Sequence, residues 1–225
     1  MELLQHILST DPAAPRLTVY TETTGARMDF SAQTLDNWAA KVANLLEEEL
    51  ELAEGDCILI DLPVSWQAAV IALGALAARV DVRFGGIGEL AGGGIDAVFT
   101  SPDNADAALG AAEAAGADVL AVTDDAFGRG VAETGGRLPA GVIDFGPTVR
   151  FYGDQYVGPA PALPSVVTPG SAERLLSTGW LDGAGFEEQV LTPIAAGGSA
   201  VVVSGLVTAD RLDAIAEAER VTARA

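Results

Sequence analysis

Cysteine, histidine and lysine each occur once in this 225-residue chain, and the three scarcities remove whole classes of chemistry. A single cysteine, Cys57, excludes an internal disulfide and any cysteine-rich zinc site. The single histidine, His6, lies in an N-terminal segment expected to fray, which is a poor place for a Ser-His-Asp or Cys-His unit. No catalytic residue is assigned on that basis, and no metal ligands. Positive charge is also scarce. Eleven arginines and one lysine, Lys41, stand against 32 acidic residues, giving a net charge of −20. Such a chain repels nucleic-acid phosphates and anionic lipid unless basic residues cluster, and no cluster is visible. Long apolar runs are missing too. The most apolar helix candidate, Ala68 to Ala78, falls short of the ~20 residues that span a bilayer, and MELLQHILSTDP lacks the basic start and long apolar stretch of a signal peptide. The expectation is a cytoplasmic protein that binds neither nucleic acid nor membrane.

What is present is a well-buried α/β chain. Hydrophobic residues make up 49% of it, and the acidic charge is spread along the sequence without forming a tail, so the chain folds. From Leu17, short β-type runs alternate with longer Ala/Leu-rich runs of helical period. LTVYTE and RMDF form a hairpin around TTGA, and a helix capped by Ser31 or Thr34 runs to about Leu50 with Leu35, Trp38, Val42, Leu45 and Leu46 on one face. The strands CILIDL, VDVRF, DAVFTS, VLAVT and SAVVVSG follow, with helices from Ser65, Asn104, Gly185 and Thr208. Residues 147 to 164 hold four prolines and read as an ordered loop. The pattern predicts one α/β domain over 1–225, a doubly wound, mostly parallel sheet flanked by helices with a short N-terminal hairpin.

Several motifs invite a chemical reading. G-x-G-x-x-A at Gly86, Gly88 and Ala91 follows a strand as a dinucleotide fingerprint does, but Gly92, Gly93 and Gly94 break the helix the motif requires, so a flexible crossover is expected. Thr178 and Asp182 in STGWLDG have the chemistry to grip a sugar diol, and Asp182-Gly183 is equally an ordinary turn signal. Asp124 and Asp125 end a strand where a cation could bind, and a solvated loop accounts for them as well. SVVTPGSAER, 165–174, has the small residues of a phosphate cradle without a lysine.

The stretch from Leu17 to Val82 resembles the opening of the adenylate-forming enzymes, the acyl-CoA synthetase and AMP-binding superfamily. Met28, Phe30, Ser31 and Leu35 follow that family's "lTYaEL" phrase, Gly55 and Asp56 its "GD", and Leu62 with Pro63 its "LPNS". FEEQVLTPIAAGGSAVVVSGLVTADRLDAIAEAERVT is similar to the family's later "pLlaGatvVl" to "ervT" segment, and the two stretches cover about half of the chain. The resemblance implies that SVVTPGSAER stands where relatives carry a Ser/Thr/Gly-rich phosphate loop ending Pro-Lys-Gly. Thr168, Gly170, Ser171 and Arg174 are then the candidate nucleotide-binding residues of a degenerate loop. It also implies a truncated member with no C-terminal lid domain, like the short actinobacterial members of the superfamily. The expected function is a non-catalytic AMP-binding-like protein with a binding or regulatory role and no bound cofactor. Its target is a small acyl or nucleotide ligand, a partner protein, or a second copy in a homodimer. Two alternatives are half of a split acyl-adenylating enzyme completed by another chain, and an α/β ligand-binding domain with no tie to adenylation.

Overall fold

Short apolar runs become strands and longer Ala/Leu-rich runs become helices throughout the computed structural model, which describes every residue from Met1 to Ala225. In chain order the strands are β1 (Pro15–Thr21), β2 (Ala26–Ser31), β3 (Cys57–Asp61), β4 (Asp81–Phe84), β5 (Ala97–Thr100), β6 (Asp118–Ala121), β7 (Val142–Asp144), β8 (Arg174–Ser177), β9 (Ser199–Ser204) and β10 (Ala223–Arg224). The helices are α1 (Gln5–Leu8), α2 (Ala32–Glu48), α3 (Trp66–Ala78), α4 (Ala105–Ala115), α5 (Phe145–Phe151), α6 (Leu163–Val166), α7 (Gly183–Phe186), α8 (Thr192–Ala195) and α9 (Ala209–Ala218), with a π-helical turn, Glu187–Leu191, joining α7 to α8. No helix is long and apolar enough to cross a membrane.

The chain divides into two units, Met1–Asp36 with Val64–Trp66 and Pro161–Ala225, and Asn37–Pro63 with Gln67–Ala160. Each has its own five-stranded sheet. In the first unit the order is β10-β8-β9-β1-β2, parallel except for the β1–β2 hairpin at one edge. The second is parallel throughout, in the order β4-β3-β5-β6-β7. That is a doubly wound order that reverses direction between β3 and β5. The α/β class, the mostly parallel pairing, the flanking helices and the hairpin are as the sequence predicts, but SAVVVSG belongs to a different sheet from CILIDL, DAVFTS and VLAVT. Every βα unit has the same signature, so the pattern does not mark where one sheet stops and the next begins.

Burial follows from the pairing. β3 and β5 are buried along nearly their whole length, as strands covered on both faces must be. Ser31 caps α2 by accepting the Thr34 N–H at 3.1 Å, and α4 stops where Gly116 takes φ +71° and returns its N–H to the Ala112 carbonyl. α2 and α3 approach closely at Gly74, where a Cβ would stand 2.4 Å from the Val42 side chain.

Three segments differ from the sequence expectation. Pro147 does not prevent α5, because it occupies the first helical turn, where a missing N–H leaves no bond unmade. Arg174, read from sequence as the end of the loop 165–174, instead begins a strand that runs to Ser177 and is paired on both sides in parallel. The N-terminal segment is anchored and does not fray: Leu3, Leu4 and Ile7 are fully buried, and the Met1 ammonium meets Asp36 at 2.9 Å.

Candidate functional site

The loop from Thr168 to Ala172 is solvent-exposed and leads directly into the amino end of β8. Its few constraints are local. Glu173 donates its N–H to the Ser171 carbonyl, Ser199 donates to the Glu173 carbonyl at 2.8 Å, and a Cβ on Gly170 would stand 2.8 Å from the Thr192 methyl. Thr168, Gly170 and Ser171 therefore lie at the amino edge of a parallel sheet. Ligands of open α/β sheets bind at the opposite, carboxyl edge, where the connecting helices begin and present their positive ends.

At the amino edge the helices end. The chain leaves α8 through Gly197 and Gly198 into β9, and leaves α9 through Arg220 to Thr222 into β10, so terminal carbonyls gather here. Two guanidinium groups meet them. Arg16 donates to the carbonyls of Gly197 and Gly198 at 2.5 and 3.1 Å, and Arg174 donates Nε–H to the Glu219 carbonyl at 2.7 Å. Helix ends of this polarity attract cations and disfavour phosphate.

Arg174 has the charge to bind an anion, but its side chain turns into the sheet. It donates to Thr18 Oγ1 at 3.0 Å, to Ser199 Oγ at 3.1 Å and to Glu219 Oε2 at 2.5 Å. Glu219 is the hub of this cluster. Its other oxygen accepts from Tyr20 at 2.6 Å and from Arg27 at 2.8 Å, so one carboxylate ties the end of α9 to β1, β2 and β8. Burial alone would raise the Glu219 carboxyl, but the bonds from Arg27, Tyr20 and Arg174 outweigh it and hold the group at about 2. Sequence reasoning missed this hub. Its one signal was polar residues alternating on a strand, Thr18 and Tyr20, which the hairpin register sets opposite Asp29 and Arg27.

The other candidates have structural work as well. Lys41, in the second unit, donates to the Tyr152 carbonyl at 2.6 Å. Asp125 accepts the N–H groups of Phe127 and Arg129 and pairs with the Arg129 guanidinium at 2.7 Å, bonds that lower its carboxyl and brace the loop after β6. Asp182 caps α7 by accepting the Gly185 N–H at 2.8 Å. Gly86, Gly88 and Ala91 lie at a short 3-10 turn, Ile87–Gly92, which ends as Gly93 and Gly94 take positive φ, so no α-helix begins there.

No protein-family model matches the chain. A TIGR03089 family protein from Mycobacterium tuberculosis is 35% identical over 224 residues, an alignment covering 90% of this chain and 88% of that protein. The chain belongs to that family. Among solved structures, TIGR03089 architecture here resembles a Brucella canis acyl-CoA synthetase (TM-score 0.73, 19% identity, 96% of this chain and 45% of that one). It likewise resembles a benzoate CoA ligase from Burkholderia xenovorans (0.71, 16%, 98% and 48%) and MatB from Rhodopseudomonas palustris (0.70, 16%, 99% and 48%). This TIGR03089 chain thus carries the acyl-CoA synthetase fold while spanning less than half the length of those proteins.

Proposed function

We infer that this TIGR03089 protein is an AMP-binding-like domain that binds without adenylating. The observation that supports the reading is the commitment of Arg174, the one cation of the candidate loop, to Glu219, Thr18, Ser199 and a helix-end carbonyl. In-line attack of a carboxylate on ATP develops negative charge that needs a cationic clamp. Recruiting Arg174 for that task would strip Glu219 of one of its partners and leave a largely buried ion pair broken.

Lys41 offers no substitute, since its ammonium is bonded within the second unit. The binding role itself fits the carboxyl edge of the first sheet. There the loops after β8 and β9 present Leu181 and Leu206, exposed by 97% and 99%, to an acyl chain or an apolar protein surface.

The reading is tested by pyrophosphate release. With ATP, Mg2+ and a panel of fatty and aromatic acids, the purified chain is expected to release no more pyrophosphate than buffer. Release by the chain alone would overturn the reading, and release only after a second chain is added would establish a split enzyme.

A further inference from the structure

The segment that leaves α5 does not hang free in solution. Residues 152–156 are bound along the end of α2: Lys41 donates to the Tyr152 carbonyl, and Asn44 donates to the carbonyls of Gly153 and Gln155 at 2.9 and 3.0 Å. From the strap itself, the Tyr152 hydroxyl donates to Glu49 at 2.5 Å and the Tyr156 hydroxyl to Glu47. Both tyrosine rings are buried as a result.

That clamp fixes the flanking side chains outward. Phe151 is 88% exposed and Val157 98%, and the Phe151 ring stands edge-on to Tyr152 at 5.9 Å between centroids. Holding two large apolar groups in water on an ordered strap forgoes the stabilisation that burying them would bring. Beside them the end of α2 and the turn after it carry exposed Glu47, Glu48, Glu49, Glu51 and Glu54, and only Glu54 meets a cation, Arg79 at 2.6 Å. The field of these carboxylates reaches further. Asp118 is raised first by burial and then by Glu49.

We propose that the strap 151–157, clamped to the acidic end of α2, is a docking surface for a basic, apolar-faced segment of another protein. Charge selects the occupant. A second copy of a chain with net charge −20 would bring more carboxylates to the same patch, and an anionic lipid surface would be repelled. A segment with arginine or lysine on one face and leucine or phenylalanine on the other satisfies both halves of the surface. The proposal goes beyond the binding role assigned to the first unit and does not depend on nucleotide.

The test uses the full chain and a fluorescein-labelled Lys/Leu peptide patterned as an amphipathic helix of about five turns. The peptide is followed by anisotropy, and the protein by sedimentation. The parent is expected to bind, and Phe151→Ser/Val157→Ser, which leaves net charge unchanged, to weaken binding at least about tenfold. Val166→Ser, which alters an exposed apolar side chain of the first unit, is expected to bind as the parent does. Failure of the parent to bind, equal binding by the strap variant, or an equal loss in the Val166 variant would each overturn the proposal. So would a parent dimer that the strap variant dissolves, because the occupant would then be a second copy. Thermal melting confirms that both variants, altered only at exposed positions, remain folded.

Discussion

Replacing Glu219 by alanine is expected to destabilise the protein by about 3 kcal/mol, because removing one partner from a buried ionic cluster leaves the others uncompensated. Arg174 would keep Thr18 and Ser199, and Arg27 would keep Asp29 at 3.4 Å, so the loss should stop short of unfolding. For a chain of this length it corresponds to a melting temperature lower by roughly 6–12 °C. The same carboxylate predicts a pH dependence. A carboxyl held at about 2 against an ordinary 4.5 contributes about 3 kcal/mol that is fully present above pH 4.5. That stability drains away as pH falls toward 2. Urea unfolding of the parent and of Glu219→Gln across this range checks it: the difference between them should shrink as pH falls, and a constant difference would place the hub elsewhere.

The sequence made the βα alternation, the hairpin and the α2 cap legible, because each is a local pattern of period, turn or hydroxyl. It did not reveal Glu219 as a hub, since Tyr20, Arg27, Arg174 and Glu219 are far apart in the chain and meet only after β1, β2, β8 and α9 are assembled. Arg174 shows the same limit in the opposite direction. From its neighbours it is a candidate phosphate ligand; from the register of β8 it is the cap of a helix end. The strand β8 was hidden because four residues, RLLS, carry too little period to tell strand from helix.

Gly198→Ala should be nearly as damaging as loss of Glu219. A Cβ at this position would stand 2.2 Å from the Glu173 carbonyl oxygen and 2.8 Å from its nitrogen, both backbone atoms. The clash cannot relax by a rotamer change. Moving Glu173 would break the bond from Ser199 N–H that seats the candidate loop against β9. Overpacking of this kind costs typically 1–3 kcal/mol, and backbone contact puts it near the upper end, about 3 kcal/mol. Gly110→Ala is the control. It lies in α4 with nothing within 4 Å of its Cβ, so the same chemical change should stabilise the protein by up to about 1 kcal/mol. Melting curves of the two variants should shift in opposite directions.

The claim that this chain has no working adenylation site is tested most directly by calorimetric melting with and without millimolar ATP and Mg2+. A ligand that binds the folded state stabilises it by RT ln(1 + [L]/Kd), so a micromolar site would add ~4 kcal/mol. At roughly 2–4 °C for each kcal/mol, that is a rise of about 10 °C. With Arg174 committed to Glu219 and the candidate loop at the amino edge of its sheet, the melting temperature is predicted to move by less than about 1 °C. A rise near 10 °C that Arg174→Ala abolishes would contradict the account.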